Sequence, residues 1–262
     1  MCGRYATTRT ATDLSAIFDA VDLSGAAIAV DYNVAPTDPV PVVRMSASAA
    51  VRSGEQVASG PGSDGRPEAV RALCVARWGL LPPWATERRA GARMINARAE
   101  TVATTRAYAR PFATHRCLIP ATGWYEFAPL PATSPVPARR KQAYFMTPGD
   151  GAPLVLAGLW SVWGPPEERV LTCSIVTMPA AGDLRSVHDR MPLFLGRDRW
   201  EPWLTGPANP ADLLRSPSDA DLASIEIRPV GPEVGNVKSD GPELIQRTDP
   251  ITTVKPVDLT LF

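Results

Sequence analysis

The sequence predicts a single α+β domain with a mainly antiparallel, barrel-like β core and short flanking helices. Strand-like segments outnumber helical ones and do not alternate regularly with helices, as they would in a parallel sheet. No repeat of about 34 or about 40 residues, the kind found in solenoids and propellers, is present. The chain has 262 residues, which is enough to bury a sizeable core.

The first helix is expected near the amino terminus, where Leu14, Ile17 and Phe18 would share one helix face and Thr12 could cap it. A turn-forming stretch at 32–37 follows. The next strand, 40–45, contains a proline and is therefore expected at a sheet edge.

Residues 46–68 are rich in Ala, Ser and Gly, and we interpret them as a flexible insertion. Because a strand at 72–78 resumes soon after it, we assign 1–250 to one domain and 251–262 to a carboxy-terminal tail. The remaining elements follow from apolar runs, short amphipathic runs and turn residues. Helices are predicted at 104–112, 200–204 and 211–214, strands at 116–127 with a turn at Gly123 and at 143–146, 154–163, 170–177 and 225–230, and a proline-rich loop at 129–137.

Composition argues against several functional classes. The net charge is zero, and no segment has the apolar length needed to cross a bilayer. The amino terminus lacks the basic and apolar regions of a secretory signal, so we expect a cytoplasmic protein. The four cysteines are far apart and only two histidines are present, so neither a metal nor a cofactor is expected. Three of these cysteines lie in apolar runs and are expected to be buried and inert: Cys74, Cys117 and Cys173.

Arginine dominates the basic residues, with 24 arginines and lysine only at Lys141, Lys238 and Lys255. The guanidinium group suits contacts with phosphate and stacking on bases. A GC-rich genome would also favour arginine over lysine, so the ratio alone does not indicate a DNA partner.

Cys2 stands directly after the initiator methionine. If Met1 is removed, this residue carries two nucleophiles on adjacent carbons, the α-amine and the thiol. An aldehyde can condense with the amine to an imine, and the thiol can then close a thiazolidine ring. The alternative is that position 2 simply holds a small residue near the chain start.

Three further segments hold reactive side chains. Glu126 lies among aromatic residues, where desolvation would raise its pKa and allow proton exchange near neutrality, unless it faces solvent from a strand. His188 precedes Asp189 and Arg190 in a tight turn and could act as a general acid or base, although a lone histidine is often structural. Asn96, two residues before Arg98, could orient a nucleophile or cap the backbone.

Taken together and in order, these segments resemble the SRAP family, named for SOS response-associated peptidase and also called abasic-site processing proteins. The resemblance runs from residue 1 to about residue 246. The matching stretches are Met1-Cys2-Gly3-Arg4-Tyr5, Tyr32-Asn33-Val34-Ala35-Pro36, Arg77-Trp78-Gly79-Leu80 with Pro83-Trp84, Ile95-Asn96-Ala97-Arg98-Ala99-Glu100-Thr101, Arg116-Cys117-Leu118-Ile119-Pro120, Gly123-Trp124-Tyr125-Glu126-Phe127, Ala157-Gly158-Leu159-Trp160, Ile175-Val176-Thr177, His188-Asp189-Arg190-Met191-Pro192 and Val234-Gly235-Asn236-Val237-Lys238.

The resemblance implies a sensor of abasic sites in single-stranded DNA that crosslinks itself to the ring-opened sugar aldehyde. Cys2 would supply both nucleophiles, and Asn96 would hold its amine. Glu126 would move protons during imine formation, and His188 would protonate the sugar ring oxygen. Two alternatives stay open: a thiol autopeptidase that removes Met1, and a non-covalent module for single-stranded or modified DNA.

DNA contacts are implied by position as well. Pro83 and Trp84 would form a wedge that stacks on bases, although Ala85 stands where many relatives have a second tryptophan. Arg4 would favour the Cys2 thiolate if it points inward. We expect a monomer that works at the nucleoid or at replication forks. The full set of implied DNA-contact residues is Arg4, Asn33, Pro36, Pro83, Trp84, Arg98, Arg106, Thr177 and Arg190.

Overall fold

The structure is a computed structural model that describes residues 2–25, 28–47, 69–130 and 141–251. Met1, the predicted insertion from residue 48 onward, most of the proline-rich loop and the tail from residue 252 lie outside the described residues. The strands are β1 Tyr5–Thr7, β2 Val21–Asp22, β3 Asp31–Val34, β4 Pro39–Ala47, β5 Ala69–Trp78, β6 Asn96–Arg98, β7 Arg116–Ala121, β8 Gly123–Pro129, β9 Lys141–Pro148, β10 Leu154–Trp163, β11 Val170–Pro179, β12 Arg190–Pro192 and β13 Ile225–Val230.

Short helices connect these strands. The α-helices are α1 Ala11–Phe18, α2 Ala109–Thr114, α3 Trp200–Thr205, α4 Pro210–Leu213 and α5 Asp219–Ala223. Single 3-10 turns lie at Arg88–Arg93, Pro166–Glu168, Gly182–Ser186, Arg197–Arg199, Pro232–Gly235 and Pro242–Ile245. Mostly antiparallel strands with few short helices confirm the predicted α+β class.

Five strands form a closed ring of hydrogen-bonded neighbours, in the order β11, β10, β7, β4 and β5. The ring closes where β5 and β11 pair in parallel, with Arg77 opposite Thr172 and Trp78 opposite Cys173. Strand β6 lies parallel to β11 on this same sheet, and β12 pairs with β11 in the antiparallel direction. The barrel-like core predicted from the sequence is therefore present.

Alternating residues of the ring strands face two different cores. On β7, Cys117 and Ile119 contact the inner core, whereas Leu118 packs outward against the helices. The outer core is completed by apolar residues of α1, α2 and α3, including Phe18, Phe112 and Trp203. This alternation is the period-2 pattern of strands that are buried on both faces.

The second sheet has the order β13, β9, β8, β1 and β3, and all its pairs are antiparallel. Its inner face, which includes Tyr5 and Trp124, packs on the ring through the core that contains Cys2. Its outer face is covered by Val234 and Leu244 of the carboxy-terminal turns. Cys2 is thus buried between the two sheets.

Several predicted details were wrong. Strand β4 is not an edge, because it lies between β5 and β7, and β7 pairs with it only at Val43 and Arg44, beyond its prolines. Helix α1 is capped by Thr10 and not by Thr12, because the Thr10 hydroxyl accepts a hydrogen bond from the Asp13 N–H. The helix expected from residue 104 begins at residue 109, after a series of turns.

Candidate active site

Cys2 is completely buried and lies three residues before the start of strand β1. This strand is held on both sides, because Tyr5 pairs with Val34 of β3 and with Trp124 of β8. Burial raises the pKa of the Cys2 thiol, and the nearby Glu126 carboxylate raises it further. The thiol is therefore neutral near pH 7, and its proton must move when the sulfur reacts.

Arg4 was expected to favour the Cys2 thiolate if it pointed inward, but burial raises the pKa of the thiol. Its guanidinium donates hydrogen bonds to Asn33 Oδ1 at 2.6 Å and to the Val234 carbonyl at 2.9 Å. The buried Asn33 amide in turn donates to the carbonyls of Asn236 and Ser239 at 2.9 and 2.8 Å. Arg4 and Asn33 thus tie the amino-terminal strand to the carboxy-terminal segment. Their contact with DNA stays a prediction.

Asn96 reaches Cys2 from the ring of strands. It begins β6, which is fixed beside β11 by the pairing of Asn96 with Ile175. Its Nδ2 donates a hydrogen bond to the Cys2 carbonyl at 2.7 Å. The Asn96 backbone carbonyl accepts a hydrogen bond from the Tyr108 hydroxyl at 3.1 Å. Its Oδ1 is buried and has no hydrogen-bond partner within the described part of the chain. The contact with the Cys2 amine stays a prediction, and Oδ1 is an acceptor of the type that an amine needs.

Glu126 lies on the inner face of β8, on the same side of the strand as Trp124. It is only 4% exposed, which excludes the solvent-facing alternative. Burial raises the pKa of Glu126 to about 7. Near neutral pH this carboxyl group can therefore both accept and donate a proton.

His188 approaches Glu126 from the turn before β12, with Nε2 4.0 Å from Glu126 Oε2. The backbone N–H of Arg190 donates to His188 Nδ1 at 2.9 Å, so the proton of the neutral ring is assigned to Nε2. Asp189 Oδ1 lies 2.7 Å from Nδ1 and can pair with it once the ring is protonated. Burial lowers the pKa of His188, which favours the neutral ring with its proton directed towards Glu126.

Arg190, the first residue of β12, is held by hydrogen bonds to Glu100 and to Thr177 of β11. Its guanidinium donates to both Glu100 carboxylate oxygens and to the Thr177 carbonyl, the last at 2.8 Å. Thr177 is fully buried and pairs with Arg98, whose side chain is exposed. Of the three predicted DNA contacts among these residues, only Arg98 is exposed.

The predicted wedge lies on a separate surface loop. Pro83 is exposed, and the Trp84 side chain is 48% exposed. The Arg106 guanidinium stacks on the Trp84 ring at 4.6 Å from its centroid. Beside them is an open cleft of about 340 Å³ that Trp160 also lines. Pro36 is half-buried in the turn after β3.

The structure brings together Cys2, Asn96, Glu126 and His188. Sequence reasoning missed Tyr108, which holds the Asn96 backbone, because an aromatic residue in a predicted helix is usually part of the core. Glu100 was part of a recognised motif, but its role as the partner of Arg190 required the structure.

Neither a metal-binding cluster nor a membrane-spanning helix is found among the described residues. Within them, no three His, Cys, Asp or Glu side chains are grouped so that they could hold a metal ion. Within the same ranges, no helix is both long enough and apolar enough to cross a membrane.

Comparisons with known proteins place the chain in a family. The profile of the family described as SOS response associated peptidase (SRAP) matches residues 1–237. Abasic site processing protein YoqW of Bacillus subtilis is 36% identical over 174 residues, which cover 65% of this chain and 74% of that protein. Abasic site processing protein YedK of Escherichia coli is 29% identical over 249 residues, covering 94% of this chain and 99% of that protein.

A crystal structure of a protein from Bacteroides thetaiotaomicron has the same fold. The two structures superpose with a TM-score of 0.72 at 20% sequence identity, covering 94% of this chain and 100% of the other. At this level of identity the likeness concerns the fold alone.

Proposed function

This chain belongs to the SOS response associated peptidase (SRAP) family, and on that premise we propose that it processes abasic sites in single-stranded DNA by crosslinking itself to them through Cys2. The observation that carries the proposal is the meeting of three groups at Cys2. Asn96 is hydrogen-bonded to it, Glu126 is buried beside it with a pKa of about 7, and His188 lies next to Glu126. Relatives that bear the name abasic site processing protein support the substrate class.

In the first step the Cys2 α-amine, free once Met1 is removed, attacks the aldehyde carbon of the ring-opened sugar. A C–N bond forms, water leaves, and an imine results. Glu126 takes a proton from the attacking nitrogen and returns one to the departing hydroxyl group. A carboxyl group with a pKa near the working pH is suited to both transfers.

In the second step the Cys2 sulfur adds to the imine carbon. A C–S bond forms, the thiol proton ends on the nitrogen, and a thiazolidine ring closes without any oxidant or reductant. Because the thiol is neutral in its buried site, Glu126 is the group that carries this proton. Ring closure consumes the imine, which would otherwise lead to β-elimination and strand scission.

His188 acts before these steps, on the closed form of the abasic sugar. The protonated imidazole of His188, with Asp189 beside its Nδ1, gives its Nε2 proton to the sugar ring oxygen as the bond between that oxygen and the anomeric carbon breaks. The carboxylate of Glu126, 4.0 Å from Nε2, takes the proton of the anomeric hydroxyl group, and the aldehyde is released.

The proposed DNA contacts are made by exposed side chains near Cys2 and on the loop at 83–84. Trp84 offers a face for base stacking, and Arg98 and Arg106 offer exposed guanidinium groups. We also expect the protein to act as a monomer at the nucleoid or at replication forks.

A second activity, removal of its own Met1, is supported by the position of Glu126 near Cys2. Glu126 could direct water or the Cys2 thiol to the Met1–Cys2 peptide bond. Intact mass of the purified protein and of Glu126→Gln tests this idea, since a self-processing enzyme would lose Met1 and the variant would retain it.

A denaturing gel tests the main proposal with two oligonucleotides that differ only in one abasic site. A heat-stable shifted band with the abasic strand alone supports crosslinking. Protein that retains Met1 is the matched control and should give no such band, because an amide nitrogen cannot form the imine. A complex that dissociates in denaturant from both oligonucleotides would instead indicate a non-covalent DNA-binding module.

A further inference from the structure

Positive charge is concentrated in one part of the chain. Residues 77–110 contain seven arginines, two glutamates and no lysine or aspartate, so they carry a net charge of +5 in a protein whose total is zero. Both glutamates are already ion-paired, Glu87 with Arg89 and Glu100 with Arg190. No acidic residue of this segment is left to balance the other arginines.

Two of these arginines are not used by the proposed chemistry and project from one turn. Arg88 and Arg93 begin and end the 3-10 turn at 88–93, and both side chains are exposed. Neither has a carboxylate within 4.0 Å among the described residues. The turn therefore presents two uncompensated guanidinium groups to solvent.

The turn is rigidly held on the ring of strands. Gly79 and Gly91 approach so closely that a Cβ added to either would lie 2.5 Å from the carbonyl oxygen of the other. Gly79 also has a φ of +127°, which disfavours any other residue. Close backbone contact between Gly79 and Gly91 thus fixes the position of the arginine turn.

Arg77 lies directly beneath this turn. Its NH1 is 3.0 Å from the position that a Gly91 Cβ would occupy, and this nitrogen is buried without a hydrogen-bond partner in the described ranges. Burial lowers the pKa of Arg77, and the like charge of Arg88 lowers it further. Like charges held this close are stabilised when an anion binds between or above them.

The turn is also close to the candidate active site. Arg93 is three residues before Asn96, so their Cα atoms are at most about 11 Å apart. A groove of about 600 Å³, lined by Glu87, Arg89, Arg93 and Met94 among others, runs along the turn. A strand captured at Cys2 could therefore extend over it within a few nucleotides.

We propose that the arginine turn at 88–93, with Arg88 and Arg93 as contact residues, is a second phosphate-binding surface that holds the DNA backbone beyond the nucleotide captured at Cys2. The inference rests on the proposed function for the identity of the polyanion. The planar guanidinium fork matches phosphate oxygens, and several phosphates in a row match several unpaired arginines. Arg77 supports the surface from below as a positioning residue.

The test measures reversible affinity for an undamaged single strand as a function of salt concentration, using fluorescence anisotropy. The double variant Arg88→Gln/Arg93→Gln should lower the slope of log affinity against log salt by about 1.4, because each phosphate contact on a single strand contributes about 0.7. The matched control Arg215→Gln/Arg247→Gln removes the same charge from two exposed ion pairs elsewhere and should leave the slope unchanged.

Strand length and crosslinking provide the deciding comparisons. The loss of affinity should be larger for a long strand than for one of a few nucleotides, because only the long strand reaches the turn. An equal loss at both lengths, an unchanged slope, or the same change in the control would overturn the inference. Crosslinking of abasic DNA is scored separately on denaturing gels. If the wild-type protein failed to crosslink while the double variant still lowered the salt slope, the proposed function alone would be refuted.

Discussion

Asn96 and Cys2, 94 residues apart in the chain, are joined by a hydrogen bond of 2.7 Å from Asn96 Nδ2 to the Cys2 carbonyl oxygen. The bond connects strand β6, on the ring of strands, with the residues that lead into β1 of the second sheet. The nucleophile is therefore positioned by a contact between the two sheets. The Tyr108 hydroxyl also donates to the Asn96 backbone carbonyl, which holds the backbone from which this side chain extends.

Asn96→Ala should slow crosslinking more than it destabilises the fold. Loss of one hydrogen bond lowers the free energy of unfolding by about 1 kcal/mol. A nucleophile displaced by even ~1 Å can lose about 100-fold in rate. Single-turnover crosslinking and urea unfolding measure the two effects. Asn209→Ala, which removes a surface asparagine bonded to Asp212, is the control and should leave the rate unchanged. An Asn96→Ala rate equal to that of wild type would refute the positioning role.

Cys2→Ser should weaken the heat-stable crosslink and expose strand cleavage. The variant keeps the α-amine and can form the imine, but its hydroxyl group closes the ring less readily than a thiol does. The open imine can then undergo β-elimination. Gels that resolve intact strand, cleaved strand and crosslink measure the partition. Cys74→Ser, at another buried thiol, serves as the control and should crosslink normally. A Cys2→Ser crosslink as heat-stable as the wild-type one would contradict the thiazolidine.

Much of the fold could be predicted from the sequence, because the longer strands carry their own signal. Strand β10 was predicted with its observed limits, 154–163, since its residues alternate between two cores and form a long apolar run. Strand β13 was likewise predicted correctly at 225–230.

The contacts within the candidate site could not be predicted from the sequence. Asn96 and Arg190 lie on strands of three residues, β6 and β12, which are too short to show a periodic pattern. Both strands exist because they pair with β11. The residue types were indicated by the motifs, whereas the partners of Arg4, Asn96 and Arg190 depend on contacts between distant parts of the chain.

Glu126 should give the fold a measurable pH dependence. Its pKa is raised from 4.5 to about 7 by burial, so the folded state binds more protons than the unfolded state between these values. Stability from this group is fully present below pH ~4.5 and is lost as pH rises through ~7, by about 3 kcal/mol at most. Glu126→Gln removes this titration. Urea unfolding should therefore show that the variant gains stability relative to wild type between pH ~5 and ~8.

Glu167→Gln is the matched control for this measurement, because Glu167 is exposed on a surface turn. Its difference from wild type should stay constant over the same pH range. A constant difference for Glu126→Gln as well would mean that the buried carboxyl does not titrate in this range.

His188→Gln should act on ring opening alone. With an abasic sugar that cyclises, loss of a general acid should slow crosslinking by about 100-fold or more. With an oligonucleotide carrying an aldehyde that cannot cyclise, the variant should react nearly as fast as wild type, since no ring oxygen needs a proton. Rapid-quench kinetics with both substrates give the two rates. Equal slowing on both substrates would assign His188 to imine chemistry instead.

Trp84→Ala should weaken DNA binding. The residue is 48% exposed, so the substitution removes an exposed ring face together with the buried part that contacts Arg106. Removal of a stacked base contact should cost about 1–3 kcal/mol of binding free energy, whereas Trp84→Phe should retain most of the affinity. Leu23→Ala, at another exposed apolar residue, is the control and should bind like wild type. Anisotropy titrations with single-stranded DNA measure all three variants. If Trp84→Ala bound as tightly as Leu23→Ala, the loop at 83–84 would not be a stacking surface, and the DNA path would have to follow the exposed arginines alone.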